Sequence, residues 1–398
     1  MDLNTPKLFI EINNSDYIFI VGDKNESNDF KIKYKCIVPI QGIKNSKIID
    51  FSLVKNIIQT NIYLIEQKLN FIFKEVILII SDFDCSFISL SGFKKLNGSQ
   101  ILKENITYIL NSLKSNINKT EDKKTILHIF NTKFNLDKKT ISNLPVGLFG
   151  DFYSQEISFC LINSNEYKNI INIFAKCNLR IKKILLKSFL EAAYVSDDNK
   201  NFDTFFQINI NKYNSQILFV ENDALKFEQN FNFGTDLVLK DICKVTSLKK
   251  EIVQKLIDSS VLKKDFLEDE LIEKVFFEQT NYRKIKKKLL FKVAEARIEE
   301  LLEYLLTKNV NFQYFRKKCK VTFLKVFDNT QLNCFGDIYS NFFSKNNKIE
   351  LKLKEKTTIE ELIIKANKLV HFGWKKEVIP VIQYKKSLIA RFFDSIFN

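Results

Sequence analysis

Glycine is scarce in this 398-residue chain: there are nine, about a third of the usual roughly 7%. No two are adjacent and no G-x-G occurs. Glycine lets backbone approach a phosphate closely or turn left-handed. Glycine-built phosphate loops are therefore excluded. The two histidines, and seven cysteines (Cys36, Cys85, Cys160, Cys177, Cys243, Cys319, Cys334) without any C-x-x-C spacing, argue against a zinc site. Reduced thiols in a cytosolic setting are the plain reading. No segment approaches the roughly 18 uninterrupted apolar residues of a spanning helix. Met1 is not followed by a basic stretch leading into an apolar run, so no secretory signal is expected.

What is present reads as a globular chain: 45% of residues are hydrophobic and 27% charged. The net charge of +15 suits nucleic acid or an anionic membrane. It also suits compositional drift, since Lys, Asn, Ile and Phe are abundant together, as A/T-rich coding produces. No ribonucleoprotein or helix-turn-helix signature is found, so no nucleic-acid partner is expected.

Apolar alternation and turn chemistry predict strands at Leu8 to Ile12, Tyr17 to Val21, Lys31 to Pro39 and Val76 to Ser81, with a helix over 50–70. This strand-strand-strand-helix-strand order opens a ribonuclease-H-like domain. A separate block, 82–160, has a helix about Ser99 to Asn116 among strands at Cys85 to Leu90, Ile126 to Phe134 and Glu156 to Ile162. Ser196 to Asn201 reads as a linker, after which the pattern restarts, suggesting a duplicated fold. Residues 283–308 read as one long helix, basic at its start. His128 and His371 read as structural histidines.

One segment stands out: Leu127-His128-Ile129, Phe134, Asp137, Ile141 and Leu144-Pro145-Val146-Gly147-Leu148-Phe149-Gly150. It resembles the pattern of the FtsA family of cell-division proteins. It holds one of only four prolines and two of the nine glycines. Further likenesses run in order: Glu11-Ile12-Asn13-Asn14-Ser15, Lys168-Asn169-Ile170, Cys177-Asn178-Leu179, Ala192-Ala193-Tyr194, Gly234-Thr235 and Asp241-Ile242.

The resemblance implies an α/β, actin-like, two-lobed fold of duplicated ribonuclease-H-like domains with an FtsA-type inserted (SHS2) subdomain. The implied boundaries are 1–81 for the first-lobe core, 82–160 for the insert and 161–200 for the return to the first lobe. The second-lobe core takes 201–225 and 298–340, with its own insert at 226–297. A closing segment and linker take 341–384, and 385–398 is a membrane-targeting helix.

The resemblance also places a nucleotide site. The first phosphate turn falls on Asn13, Asn14 and Ser15 beside Glu11. The second falls on Asn209, Asn211 and Lys212, where the family's carboxylate and three glycines are gone. The adenosine-contacting glycine pair falls on Phe327 and Asp328. The expectation is a vestigial site with no catalytic residues, no metal and no obligate cofactor, ATP with Mg²⁺ remaining an alternative. Asn tolerates left-handed backbone, so a turn can survive without glycine.

At the C-terminus, Lys385 and Lys386 precede Leu388, Ile389, Phe392, Phe393, Ile396 and Phe397, which share one half of a helix; Arg391 lies on the other. That composition suits the interface of an anionic membrane, and a helix packed on its own core is the alternative. The resemblance implies the FtsZ C-terminal tail as partner, near Arg283, Lys284 and Lys287, together with self-association into filaments and recruitment of later division proteins through the insert. It places the protein at the division septum, peripheral on the cytoplasmic face of a bacterial inner membrane. The alternatives are an FtsA that still polymerises with ATP, and a pilus-assembly-type actin homologue acting as a membrane scaffold.

Overall fold

Two five-stranded sheets with the same strand order carry the molecule. The computed structural model describes residues 5–24, 30–44, 47–81, 83–259, 262, 269–277, 281–326, 329–346 and 349–378. The first sheet is built from β1 (Lys7–Ile12), β2 (Asp16–Lys24) and β3 (Phe30–Pro39), an antiparallel meander. A two-stranded ribbon, β4 (Ile43–Lys44) with β5 (Lys47–Ile48), leads into α1 (Phe51–Leu69). Asp50 caps α1, its carboxylate accepting from the Leu53 amide at 2.9 Å. Val54, Ile58, Ile62 and Ile65 form the buried stripe of α1 at helical spacing. The chain then enters β6 (Glu75–Ile80), parallel to β1, and both strands are buried runs of Ile, Leu, Val and Phe.

The insert follows: β7 (Cys85–Lys95), α2 (Lys103–Thr120), β8 (Lys124–Leu136), β9 (Lys139–Ile141) and β10 (Phe152–Asn163). Its sheet has the order β7-β10-β8-β9 and its own core, with Ile109, Leu113 and Ile117 of α2 packed on the strands. The chain returns through α3 (Ser164–Lys176), β11 (Arg180–Leu186) and α4 (Lys187–Asp198). The first sheet is thus β11-β6-β1-β2-β3.

The second lobe repeats this plan with β12 (Phe205–Ile210), β13 (Ser215–Glu221) and β14 (Ala224–Phe231). A helical insert follows, made of α5 (Asp236–Thr246), α6 (Lys250–Asp258), α7 (Lys287–Leu302) and α8 (Val310–Phe315). Then come β15 (Val321–Val326), α9 (Asn329–Asn346), β16 (Glu350–Lys354) and α10 (Ile359–Phe372). The order β14-β13-β12-β15-β16 mirrors the first sheet strand for strand, as the sequence restart predicts.

Two local expectations are corrected. Ser196 to Asp198 is not linker but the last turn of α4. Its acids face lysines: Asp198 meets Lys354 at 2.8 Å and Asp197 meets Lys365, pinning α4 to the second lobe and to α10. The helix expected over 283–308 starts only at Lys287, and its end loosens into a π-turn over Glu303–Thr307. Lys286 instead pairs its backbone with Leu271 as an isolated bridge, which holds the basic run extended. Among the described residues no helix is long and apolar enough to cross a membrane.

Candidate functional site

The ends of β1 and β12 meet the start of α4, and this is where the resemblance places the nucleotide. Glu11, on β1, is almost wholly buried. Its Oε1 accepts from Lys187 Nζ at 2.7 Å and from Asn13 Nδ2 at 3.1 Å, while Oε2 has no partner. Lys187 opens α4, so a fixed ammonium sits against the one carboxylate of the first turn.

The turn itself is closed from within. Asn13 Oδ1 accepts from the amides of Ser15 and Asp16, both at 2.8 Å. Those amides are donors that a glycine turn would offer to phosphate. Here a side-chain carbonyl satisfies them, which is the ordinary behaviour of Asn in turns.

The second turn is closed in the same manner. The Asn211 amide donates to Asn214 O at 2.8 Å, and Asn211 Nδ2 to Asn214 Oδ1 at 2.8 Å. Asn209 donates to Glu191 Oε2 at 2.7 Å and to Gln216 Oε1 at 3.2 Å, and it accepts from Gln207 at 2.9 Å. The Tyr213 ring does not fill the turn; it points outward, with Lys212 Nζ 5.2 Å from its centroid.

Behind this turn, Asn211 O accepts from the Thr235 amide at 3.0 Å and Lys212 O from the Asp236 amide at 2.9 Å. Gly234 is needed there, because a Cβ would collide with the Asn211 carbonyl oxygen. Gly234→Ala is expected to cost about 1–3 kcal/mol, the range for forced overpacking. Urea unfolding of the variant against the parent checks it; equal midpoints would refute the close approach.

Sequence reasoning missed the residues that complete the floor. Lys187, Glu191, Gln207, Gln216 and Glu228 carry no motif, and only the topology brings them together. Ser188 Oγ donates to Glu228 Oε2 at 2.6 Å, and Gln216 Nε2 to Glu228 Oε1 at 2.9 Å. Lys325 and Lys356 complete the cluster. Burial pushes both ammoniums below the ordinary lysine range, and Lys187 adds to the effect at Lys356. Lys325 Nζ donates to Thr357 Oγ1 at 2.6 Å.

A cavity of about 570 Å³ lies beside the second turn, between α5, α6 and the start of α9. Lys212, Asp236, Lys250, Glu251, Gln254 and Lys255 are among its lining. Asp236 is ionised there: burial would raise its pKa, but Lys240 and Lys250 outweigh that and lower it. The cavity is large enough for a small molecule, and its lysines suit an anion. Only Gly234-Thr235 signalled it in the sequence.

The fit to Mg²⁺ with a triphosphate is poor. The Ser15, Asp16 and Asn211 amides bond within their own loops, the family's carboxylate is an amide at Asn209, and Lys187 neutralises Glu11. Among the described residues no three His, Cys, Asp or Glu side chains gather to hold a metal ion.

The other expected site residues are less gathered. Arg283 is exposed and donates to Ser247 O at 3.0 Å; Lys284 is exposed beside it. Lys287 shares no surface with them. It is buried, held by Glu270 at 2.5 Å and Glu273 at 3.2 Å. Phe327 and Asp328, and the whole of Lys385 to Phe397, lie outside the described residues. His128 is structural, as expected: its Nε2 accepts from the Leu186 amide at 3.2 Å, so Nδ1 carries the proton it shares with Glu377 at 2.9 Å. His371 sits on α10 against the Lys7 ammonium.

No protein-family model matches the chain, and no curated protein matches it either. Solved structures do. The PilM-PilN type IV pilus biogenesis complex is similar with a TM-score of 0.53 at 9% identity, over 92% of this chain and 98% of that one. The ethanolamine utilization protein EutJ from Carboxydothermus hydrogenoformans gives 0.44 at 9% identity, over 93% and 90%. MreB5 of Spiroplasma citri bound to ADP gives 0.44 at 8% identity, over 92% and 96%. The fold is the actin-like ATPase fold, over about 92% of the chain.

Proposed function

We propose that this chain is a non-hydrolysing scaffold of the FtsA type, which holds FtsZ filaments to the cytoplasmic face of a bacterial inner membrane and recruits later division proteins. One observation carries the non-hydrolysing half: the Ser15 and Asp16 amides of the first phosphate turn and the Asn211 amide of the second are bonded within their own loops, and an ammonium neutralises Glu11. Phosphoryl transfer needs donors aimed at developing charge, and these amides and Glu11 already have partners of their own. The scaffold half is supported by the collinear motifs and by the amphipathic segment 385–398. A single short helix binds a bilayer weakly, so self-association would strengthen attachment by multivalency. Arg283 and Lys284 are the exposed cations left for an acidic tail peptide.

A pilus-assembly-type scaffold is the second reading. It draws on the likeness to the PilM-PilN complex and shares the same inert cleft and membrane role.

Co-sedimentation of the full chain with anionic vesicles and FtsZ filaments, with and without Mg-ATP, tests the proposal. FtsZ should reach the vesicles equally in both conditions, and deletion of 387–398 should sharply reduce the recruitment. Vesicle binding without FtsZ recruitment would favour the pilus-type reading. Calorimetric Mg-ATP binding tighter than about 100 μM, roughly 5.5 kcal/mol, would overturn the inert cleft.

A further inference from the structure

The Pro145-Gly147-Gly150 segment is the strongest sequence motif, yet nothing in the cleft uses it. The structure shows what it builds. It forms the β9–β10 loop at one end of the inserted sheet, where β7 ends, β8 ends and β10 begins. The opposite end of that sheet joins the first lobe through β6 and α3, so this end is the distal tip.

The loop is rigid. Pro145 is buried, and Gly147 takes φ of 89°, a left-handed value. Gly147 N donates to Ile101 O and Ile101 N to Leu148 O, both at 2.8 Å. Gln100 Nε2 reaches Gly147 O at 2.7 Å. Asp137 Oδ1 accepts from the Asp151 and Phe152 amides at 2.9 and 2.8 Å.

This fixed frame turns apolar side chains outward. Leu144, Val146, Leu148 and Phe149 are all exposed, Phe149 by 69%. Phe93, 61% exposed, stacks on Phe152 at 5.3 Å beside them. A hydrogen-bonded loop presenting six large apolar groups at a tip is not scattered surface hydrophobicity.

We propose that this tip docks on an anionic lipid surface. Side-chain chemistry and surrounding charge together point to a bilayer as the occupant. None of the six side chains carries a hydrogen-bonding group, so none would be left unsatisfied in an acyl boundary. The charges around them are lysine-rich: Lys94, Lys95, Lys103, Lys138 and Lys139 outnumber Glu104, Asp137 and Asp151. That pairing of apolar tips with cations matches headgroup and acyl boundary together.

Residues 376–378 pair antiparallel with the free edge of β8, Lys376 O accepting from Asn131 N and Val378 N donating to Ile129 O, both at 2.8 Å, so the last described residues head away from the tip. The 20 residues beyond, 379–398, end in the basic-aromatic segment. Two weak membrane contacts on one chain reinforce each other. The tip's contact is separate from that of the tail.

Sedimentation of the full-length chain with phosphatidylglycerol–phosphatidylcholine vesicles tests this. Four proteins are compared: parent, Leu148→Ser/Phe149→Ser, Phe392→Ser/Phe393→Ser, and the combination. The tip pair should weaken vesicle binding about tenfold, given the interfacial value of two apolar side chains. The tail variant should keep a salt-sensitive remnant that the combination loses. Lys138→Glu/Lys139→Glu, which touches no packing, should weaken binding to anionic vesicles and not to pure phosphatidylcholine. Unchanged partition of the tip variants in both tail backgrounds would overturn the proposal, even if the tail also proves dispensable. Loss of self-association by sedimentation velocity, with vesicle binding intact, would assign the tip to a second copy of this chain instead.

Discussion

Glu221→Ala should lower stability at pH 7 by about 3–5 kcal/mol, the range for breaking a buried ion pair by removing one partner. The carboxylate is buried at the end of β13, where the second lobe meets the insert. Lys226 reaches it at 2.5 Å, Lys318 at 3.0 Å and Lys133 of β8 at 3.1 Å. Lys226 is itself buried and also meets Glu156 of β10. Burial would raise the Glu221 pKa, but the ammoniums outweigh it and bring the value from 4.5 to about 2. At ~1.4 kcal/mol per pKa unit this corresponds to roughly 3 kcal/mol. Lys318 and Lys133 are partly exposed and screened, which makes that figure an upper bound for their share.

The pH window follows from the sign. The folded pKa lies below the unfolded one, so the carboxylate's stabilisation is complete above about pH 4.5. It is lost as pH falls from there towards about 2. Urea unfolding across pH 2–7 should show this acid limb in the parent and a weaker one in Glu221→Gln. Identical limbs would mean the cluster contributes nothing measurable.

The duplicated sheets were legible because their strands are long apolar runs bounded by turn residues, as at Leu8 to Ile12 and Val76 to Ser81. Buried strands advertise themselves, since both faces must be apolar. The insert was legible through Pro145, Gly147 and Gly150, whose backbone demands few residues meet. The cleft was half legible. The absence of glycine and the amide at 209 were plain in the sequence. The identity of the group opposing Glu11 was not, because Lys187 lies 176 residues away and only the parallel pairing of β6 with β1 and β11 brings it near. Lys287 misled for a related reason. In sequence it is one of a solvated basic run, whereas the fold turns it inward onto Glu270 and Glu273.

The acidic cluster at 196–198 shows the same limit. Polar composition reads as linker, since free charge prefers water. Yet Asp197 and Asp198 find Lys365 and Lys354, and Ser196 bonds Asp223. Partners distant in sequence convert a nominal linker into the helix that spans the two lobes.

Glu377→Ala should have the second-largest effect, and it should be felt at the root of the C-terminal tail. After α10 the chain crosses both lobes and the insert in five residues. Trp374 Nε1 donates to Asp223 O at 2.7 Å, and Lys375 meets Asp223 at 2.5 Å. Asn131 N donates to Lys376 O at 2.8 Å and Val378 N to Ile129 O, so 376–378 pair with the edge of β8. Glu377 fastens this strap. Its buried carboxylate holds His128 Nδ1 at 2.9 Å and Lys183 Nζ at 2.7 Å. Burial would raise its pKa, but His128 and Lys183 outweigh that and lower it. The contribution is therefore present above the ordinary carboxylate range and is lost as pH falls through the depressed value. Removing the carboxylate strands a buried imidazole N–H and an ammonium, at a cost of about 2–4 kcal/mol. The loss should concentrate on the strap. Hydrogen exchange should quicken at the Asn131 and Val378 amides far more than at β8 amides paired with β10. A uniform rise over the whole insert, or none at Val378, would show that Glu377 does not hold the strap. If the strap is the root of a membrane anchor, Glu377→Ala should also loosen the coupling between vesicle binding and the insert. Tip substitutions would then add to tail substitutions independently instead of reinforcing them.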